Sequence, residues 1–167
     1  MKGKGRWPLQ RRLGRGFWLL AAATAAWMVV IFLFSAQNAQ DSSMTSGRVL
    51  AFLCGLVGYT PTEEMKETLS FLVRKAAHMT EFGMLGVLWL ATLRKGWGKC
   101  RWRYPAAFAL ASVYAMTDEA HQLLIDGRAG QITDWMIDSA GVLLWLTGAW
   151  IFAKIAGRNK PAENNNP

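Results

Sequence analysis

Charged residues and cysteines are both scarce in this sequence. Only 18% of its 167 residues are charged, whereas 52% are hydrophobic and 12% are aromatic, with nine tryptophans among them. This balance is unusual for a soluble domain and is typical of a bundle of short transmembrane helices. The two cysteines, Cys54 and Cys100, form no ligand or disulfide pattern, and we expect them in loops on opposite membrane faces. We therefore predict neither a disulfide nor a metal site from them.

The positive charge is concentrated in three places. The net charge is +8, and the first 16 residues hold six basic residues and no acidic one. A second basic cluster lies at 94–104, and a third lies at the C-terminal end. This distribution is typical of membrane topology signals and does not indicate nucleic-acid binding. We divide the chain into a basic cytoplasmic tail at 1–16, a membrane domain at 17–156 and a disordered tail at 157–167.

Four mostly apolar runs predict an all-α fold, a bundle of four transmembrane helices. They lie at 17–34, 71–93, 105–125 and 132–156. The first run follows a basic segment and could also be a signal peptide. Its 18 uncharged residues are long for that purpose, and no strong cleavage site follows. As a helix it would span roughly 27 Å, which is close to the thickness of one hydrocarbon core.

The connector at 35–70 carries its own helix signals. The segment 48–57 is apolar and predicts a short helix that lies in the interface or between the spans. Thr62 follows a proline and precedes Glu63 and Glu64, which is the pattern of an N-cap with acidic residues in the first turn.

The positive-inside rule orients the four spans. It places both termini and the 94–104 loop in the cytoplasm, because the other connectors contain few lysines and arginines. Polar residues then come early in the second span, late in the third and early in the fourth. All three groups lie at one depth near the outer face. We therefore predict a single outward-facing polar site in a membrane protein.

The polar residues of the second and fourth spans fall on defined helical faces. Arg74, His78 and Glu81 share one face at spacings i, i+4 and i+7. Asp134 and Asp138 are four residues apart and share a face of the fourth span.

The third span supplies the remaining polar groups. Asp118, His121 and Gln122 share a face at i, i+3 and i+4, and Glu119 points to one side. Arg128 follows in a polar turn, from which it could clamp a phosphate or carboxylate.

These side chains form the candidate site. The candidate catalytic residues are His78, Glu81, Asp118 and Glu119. The candidate ligand-binding residues are Lys75, Gln122, Arg128, Asp134 and Asp138. A histidine beside a carboxylate is suited to general acid–base chemistry, with Glu81 or Glu119 as the partner of His78.

Three other interpretations of the cluster stay open. The polar groups could simply hydrogen-bond between helices, which contributes about 0.6 kcal/mol per bond on average. A metal site could use His78, Glu81, Glu119, His121 and Asp134, but no HExxH or comparable signature is present, and we predict no metal. An ion path is disfavoured, because the inner halves of the predicted spans lack ionisable residues.

The ordered set of motifs resembles the VanZ-like membrane proteins. The resemblance rests on Arg-Lys-Ala-Ala-His-Met-Thr-Glu-Phe at 74–82, Asp-Glu-Ala-His-Gln at 118–122, Gly127-Arg128, and Asp134 with Asp138 and Gly141. A Phe-x-x-Ser-Ala-Gln stretch at 32–37 also fits. The resemblance covers nearly the whole chain except the tails. The family pattern falls on Lys75, His78, Glu81, Asp118, Glu119, Gln122, Arg128, Asp134 and Asp138.

The resemblance implies a multi-pass protein of the bacterial inner membrane, within the cell envelope, and a link to low-level resistance to the glycopeptide teicoplanin. It implies no particular reaction, and neither it nor the sequence specifies a cofactor or decides whether the protein is an enzyme. The expected partners are the lipid bilayer and a lipid-linked or cell-wall ligand at the outer face. Three hypotheses follow. The first is an envelope protein that alters, through the pocket, how a cell-surface ligand binds or accumulates. The others are a membrane-embedded hydrolase or transferase that acts on a lipid-linked or envelope substrate, and a structural or assembly partner.

Overall fold

The computed structural model describes residues 13–98 and 100–158. Within these ranges the chain forms five helices and no strand, which confirms the predicted all-helical fold. The helices are α1 (Arg15–Ser35), α2 (Ala39–Val57), α3 (Glu63–Trp97), α4 (Arg103–Gln122) and α5 (Ile132–Arg158). Most of the predicted N-terminal tail, and the predicted disordered tail beyond residue 158, lie outside the described residues.

Three of the described helices are long and apolar enough to cross a membrane, namely α1, α3 and α5. This supports the prediction of a membrane protein. The third predicted span corresponds to α4, which is 20 residues long but is not one of these three. The prediction of four spans with cytoplasmic termini therefore stays a prediction.

Helix α3 is the centre of the bundle. It packs against α1, α2, α4 and α5. The core between these helices is built from large apolar side chains on α3, such as Phe82 and Leu85, and from small ones on α4, such as Ala107 and Ala111. Small residues let helix backbones approach closely, which is the usual way in which helices pack within membranes.

Glycines bring α3 and α5 into especially close contact. A Cβ atom on Gly141 of α5 would lie 2.5 Å from the carbonyl oxygen of Met79 on α3. A Cβ on Gly86 would lie 2.8 Å from Val142, and one on Gly83 would overlap Trp145. The close crossing lies beside the polar residues of both helices, because Met79 adjoins His78 in the chain.

Helix α2 is longer than the sequence predicts. The predicted helix at 48–57 is present, but it begins at Ala39, where Asn38 caps it by accepting a 2.8 Å hydrogen bond from the Asp41 amide. The first half of α2 is rich in serine and other weak helix formers, so its composition conceals the helix. The helix ends at Gly58, whose positive φ of 66° favours glycine.

Helix α3 begins where the sequence predicts, whereas one of the two cysteines does not lie where it was predicted. Thr62 caps α3 by accepting a hydrogen bond of 3.4 Å from the amide of Met65. Cys54 was expected in a loop but lies within α2, whereas Cys100 does lie in the connector between α3 and α4. Both thiols are free.

Candidate functional site

A polar cavity of about 240 Å³ lies where α3, α5 and the C-terminal end of α4 meet. The turn between α4 and α5 completes its wall. Its ionisable lining residues are Arg74, Lys75, His78, Arg128, Asp134 and Asp138. Gln122 of α4 also lines it. The structure therefore brings together polar residues from all three predicted spans, and we call this space the polar cavity.

Asp138 is the most deeply buried charged residue of the polar cavity. It is only 1% exposed, and its Oδ2 atom accepts no hydrogen bond from any described residue. That oxygen lies 4.0 Å from Nδ1 of His78. An unpaired buried carboxylate oxygen is unfavourable, because burial removes its water without replacing the hydrogen bonds. The oxygen is therefore positioned to accept a hydrogen bond from a group that enters the cavity.

An ion pair in the lining of the polar cavity joins α3 and α5. Nζ of Lys75 on α3 lies 2.5 Å from Oδ2 of Asp134 on α5. The two side chains are 20% and 22% exposed. The Lys75 ammonium also lies over the ring of Phe71, 5.1 Å from its centroid. The ammonium of Lys75 therefore compensates the charge of Asp134, which is one of the two carboxylates that line the cavity.

Helix α2 forms a wall that the sequence did not predict. Nη2 of Arg74 donates a hydrogen bond of 2.7 Å to Oγ of Ser43, and Ala39 lines the cavity directly. Nε of Arg74 is buried and has no partner among the described residues. Arg74 therefore links α2 to the cavity and keeps donor capacity for a bound anion.

The turn between α4 and α5 carries the third cation. Gly127 has a positive φ of 73°, and Arg128 next to it lines the polar cavity. Burial lowers the pKa of the Arg128 guanidinium, and the charge of Arg74 lowers it further, whereas Asp118 and other carboxylates oppose both effects. Because the ordinary pKa of arginine is far above neutrality, Arg128 stays charged and can bind an anion.

Two buried carboxylates on α4 hold this turn and the helix end in place. Glu119 accepts a hydrogen bond of 2.9 Å from the backbone amide of Gln131. Asp118 accepts one of 3.0 Å from the side-chain amide of Gln122, one helical turn away. Neither carboxylate lines the polar cavity, so both support it from behind. Both were predicted as catalytic candidates, and their catalytic roles stay predictions.

The carboxylate nearest His78 differs from the predicted partners. Among the described residues, only Asp138 places a carboxylate oxygen within 4.0 Å of a His78 nitrogen; neither Glu81 nor Glu119 does. Glu81 does not line the cavity, and its electrostatic neighbours are Asp118 and Arg128. The predicted roles of Glu81 and Glu119 as partners of His78 stay predictions.

One family model matches most of the chain. The model described as VanZ/LLP1 matches residues 20–153, which include α2, α3, α4 and the whole polar cavity. The chain belongs to the VanZ/LLP1 family. Searches of curated proteins and of solved structures find no match. The resemblance that the motifs indicated is thus confirmed.

The second histidine of this VanZ/LLP1 protein lies apart from the polar cavity. The ring of His121 packs against Phe32 of α1, with centroids 4.7 Å apart, and it does not line the cavity. His121 was predicted to share a face with Asp118 and Gln122, yet its ring contacts a different helix.

The side chains considered as metal ligands from sequence lie in different parts of the bundle. Within the described ranges, no three or more histidine, cysteine or acidic side chains are grouped so that they could hold a metal ion. The five candidates considered from sequence are dispersed. His78 and Asp134 line the cavity, Glu81 and Glu119 lie behind it, and His121 faces α1.

Four residues that line the polar cavity were not singled out from the sequence. They are Ala39, Phe71, Ala129 and Gln131. Phe71 could have been found, because it lies one helical turn before Lys75 on the same face. Gln131 directly precedes α5, where a polar residue often belongs to a turn. Ala39 carries no chemical signal, and only the packing of α2 reveals it.

Proposed function

We propose that this VanZ/LLP1 protein is a four-span protein of the bacterial cell membrane that binds a polar envelope ligand in its polar cavity. The observation that carries the proposal is the Asp138 carboxylate, which is buried, unpaired at one oxygen and directed toward His78. A polar group buried without a partner in a membrane protein indicates a functional site. The cations around it, Arg74 and Arg128, suit the anionic part of such a ligand.

The geometry of α4 supports its assignment as a membrane span, the third of the four predicted. Its 20 residues would extend about 30 Å, which is the thickness of a hydrocarbon core. Its outer face exposes Leu110, Val113 and Met116, which are 41%, 59% and 52% exposed. Contact with lipid chains is favourable for these apolar side chains, whereas contact with water is not. With α4 in the membrane, the basic 94–104 loop lies in the cytoplasm and the polar cavity opens outward.

The two native cysteines test this topology. Cys54 on α2 should react with a membrane-impermeant maleimide in intact spheroplasts, because α2 lies at the outer face in the proposed orientation. Cys100 should react only after permeabilisation, because it lies in the cytoplasmic loop. The measurement uses the single-cysteine variants Cys100→Ser and Cys54→Ser. Labelling of Cys100 before permeabilisation would contradict the proposed orientation.

A groove next to the polar cavity indicates the class of ligand. A space of about 730 Å³ lies between α2 and the start of α3 and is lined mainly by small and apolar residues, including Gly47, Leu50 and Ala51. Ser43 lines this groove, and it is the residue that Arg74 of the polar cavity contacts. The groove and the cavity therefore adjoin at the Arg74–Ser43 hydrogen bond. A lipid-linked ligand fits both, with its chain in the groove and its phosphate and hydroxyl groups in the cavity.

Susceptibility to teicoplanin in a glycopeptide-sensitive bacterium tests the pocket. We expect the wild-type protein to reduce susceptibility and both His78→Gln and Asp138→Asn to abolish the effect at equal membrane abundance. His121→Gln is the matched control, because its ring lies outside the cavity. Gly47→Trp should also abolish protection, because a Cβ at Gly47 meets nothing within 4 Å and the indole would fill the groove.

The possible outcomes separate the parts of the proposal. If His78→Gln and Asp138→Asn protect as well as the wild type, the cavity is not a working site. If Gly47→Trp retains protection whereas His78→Gln and Asp138→Asn lose it, the cavity is a working site but the groove does not hold a lipid chain. If the wild type gives no protection, the link to glycopeptides fails for this chain, and ligand binding must be sought in its membrane lipids.

A second candidate function is a membrane-embedded hydrolase or transferase. The distance of 4.0 Å between His78 and Asp138 favours it, because catalytic hydrogen bonds are often long until substrate binds. His78 would be the general base or acid, Asp138 would orient it, and Arg128 would bind the phosphate. In the same strains, this hypothesis predicts an envelope lipid whose amount changes when the wild type is expressed. The amount should stay the same when His78→Gln is expressed.

A further inference from the structure

We propose that the protein binds an anionic phospholipid in a second site, at the opposite end of α4 and α5 from the polar cavity. The headgroup would lie on the cations Arg101, Arg103 and Lys154, and an acyl chain would lie in the groove between the two helices. This inference is independent of the ligand proposed for the polar cavity.

The groove between α4 and α5 has the dimensions and lining of an acyl-chain site. It has a volume of about 610 Å³, and its lining includes Phe108, Leu143, Leu146 and Thr147. Among the residues described, no charged side chain lines it. Leu143 is 59% exposed, so part of this apolar lining is open to the surroundings of the bundle. A lipid chain would cover this surface.

A basic pocket continues the groove at its end. This pocket, of about 370 Å³, is lined by Arg101, Arg103 and Lys154, and no acidic residue lines it within the described ranges. Tyr104 and Trp150 line both spaces, so the pocket and the groove are continuous. The charges that line this pocket differ from those that line the polar cavity. The pocket has three cations and no carboxylate among its described lining residues, whereas acidic residues compensate the cations of the polar cavity. The charge therefore favours an anionic headgroup.

The aromatic residues hold the cations at this junction. Nζ of Lys154 lies 4.0 Å from the centroid of the Trp150 ring, and the Arg103 guanidinium lies 5.6 Å from that of Tyr104. Tryptophan and tyrosine favour the level of the lipid headgroups, and basic pockets between helices on the cytoplasmic side bind anionic headgroups. An amphiphile with a negative phosphate directly above its acyl chains matches this arrangement.

The test measures lipid binding to the detergent-solubilised full chain by native mass spectrometry. The probes are dioleoyl phosphatidylglycerol and dioleoyl phosphatidylcholine, which differ in headgroup charge and share their acyl chains. We expect the wild type to bind phosphatidylglycerol at least about tenfold more tightly, a difference of about 1.4 kcal/mol. The double variant Arg101→Gln, Lys154→Gln should lose this preference. Arg103 is left unchanged, because it donates a hydrogen bond of 3.1 Å to Gly98.

Matched controls separate a built site from general charge attraction. The variant Arg94→Gln, Lys95→Gln removes two charges from the same end of the bundle and should keep the preference, since neither residue lines the pocket. Thr147→Trp should weaken binding of both lipids by filling the groove, whereas Val113→Trp, outside it, should not. The proposal would be overturned if both charge variants lost the preference for phosphatidylglycerol equally. It would also be overturned if the wild type had no preference, or if Thr147→Trp bound both lipids as tightly as the wild type.

Discussion

Replacing Gly141 with alanine should destabilise the protein by roughly 3 kcal/mol, at the upper end of measured overpacking effects. The new Cβ would lie 2.5 Å from the carbonyl oxygen of Met79 and 2.8 Å from its Cα. These are backbone atoms of another helix, so no side-chain rotation can relieve the overlap. Helices α3 and α5 would have to separate, and His78 would move away from Asp138 with them.

Unfolding of the purified protein in mixed detergent micelles measures this effect. Gly148→Ala is the matched control, because it lies on the same helix and its Cβ would meet nothing within 4 Å. That control should leave stability unchanged or raise it by up to about 1 kcal/mol, since alanine favours a helix over glycine. Equal stability of the Gly141→Ala variant and the wild type would show that the two helices do not cross as closely as described.

Replacing Lys75 with methionine should destabilise the protein by about 3 kcal/mol, because the change leaves a largely buried carboxylate without its cation. Asp134 would lose the ammonium that lies 2.5 Å away. Asp138 lies on the same helix, four residues further along, and the added repulsion between the two carboxylates would oppose folding. Lys75→Met keeps most of the apolar stem, so the measurement isolates the charge.

A double-mutant cycle distinguishes the ion pair from a general loss of packing. Asp134→Leu alone should also destabilise the protein, whereas Lys75→Met with Asp134→Leu should recover much of the stability, because no unpaired charge remains. The same unfolding measurement applies to all four proteins. Strictly additive losses would mean that the two residues do not stabilise one another. Restored stability without protection from teicoplanin would identify the pair as part of the working site.

Much of the site could be predicted because polar residues are rare in this chain. His78, Lys75, Asp134 and Asp138 are conspicuous in apolar surroundings, and helical spacing with the positive-inside rule placed them at one depth. The sequence could not specify which of several carboxylates lies nearest His78. That choice depends on how closely α3 and α5 cross, and the glycines that allow the crossing carry no chemical signal.

The parts that the sequence missed depend on packing between distant segments. Helix α2 was predicted only over its apolar second half, because serines obscure the first half that covers the polar cavity. The groove between α4 and α5 was not predicted at all, because it depends on how two helices pack against one another. Periodicity identifies the faces of single helices, whereas cavities depend on the angles between them.

The unbroken length of α3 determines how a ligand can reach the polar cavity. Its 35 residues would extend about 52 Å, which is well beyond the thickness of a hydrocarbon core, and Arg74 and His78 lie on this continuous rod. A rigid rod cannot fold over the cavity or away from it. Access must therefore depend on the other walls, namely α2, α5 and the turn between α4 and α5. Of these, α2 is joined to α1 and α3 by short connectors and is tied to the cavity by the Arg74–Ser43 hydrogen bond. A ligand that competes with Ser43 for Arg74 would therefore loosen this wall of the polar cavity.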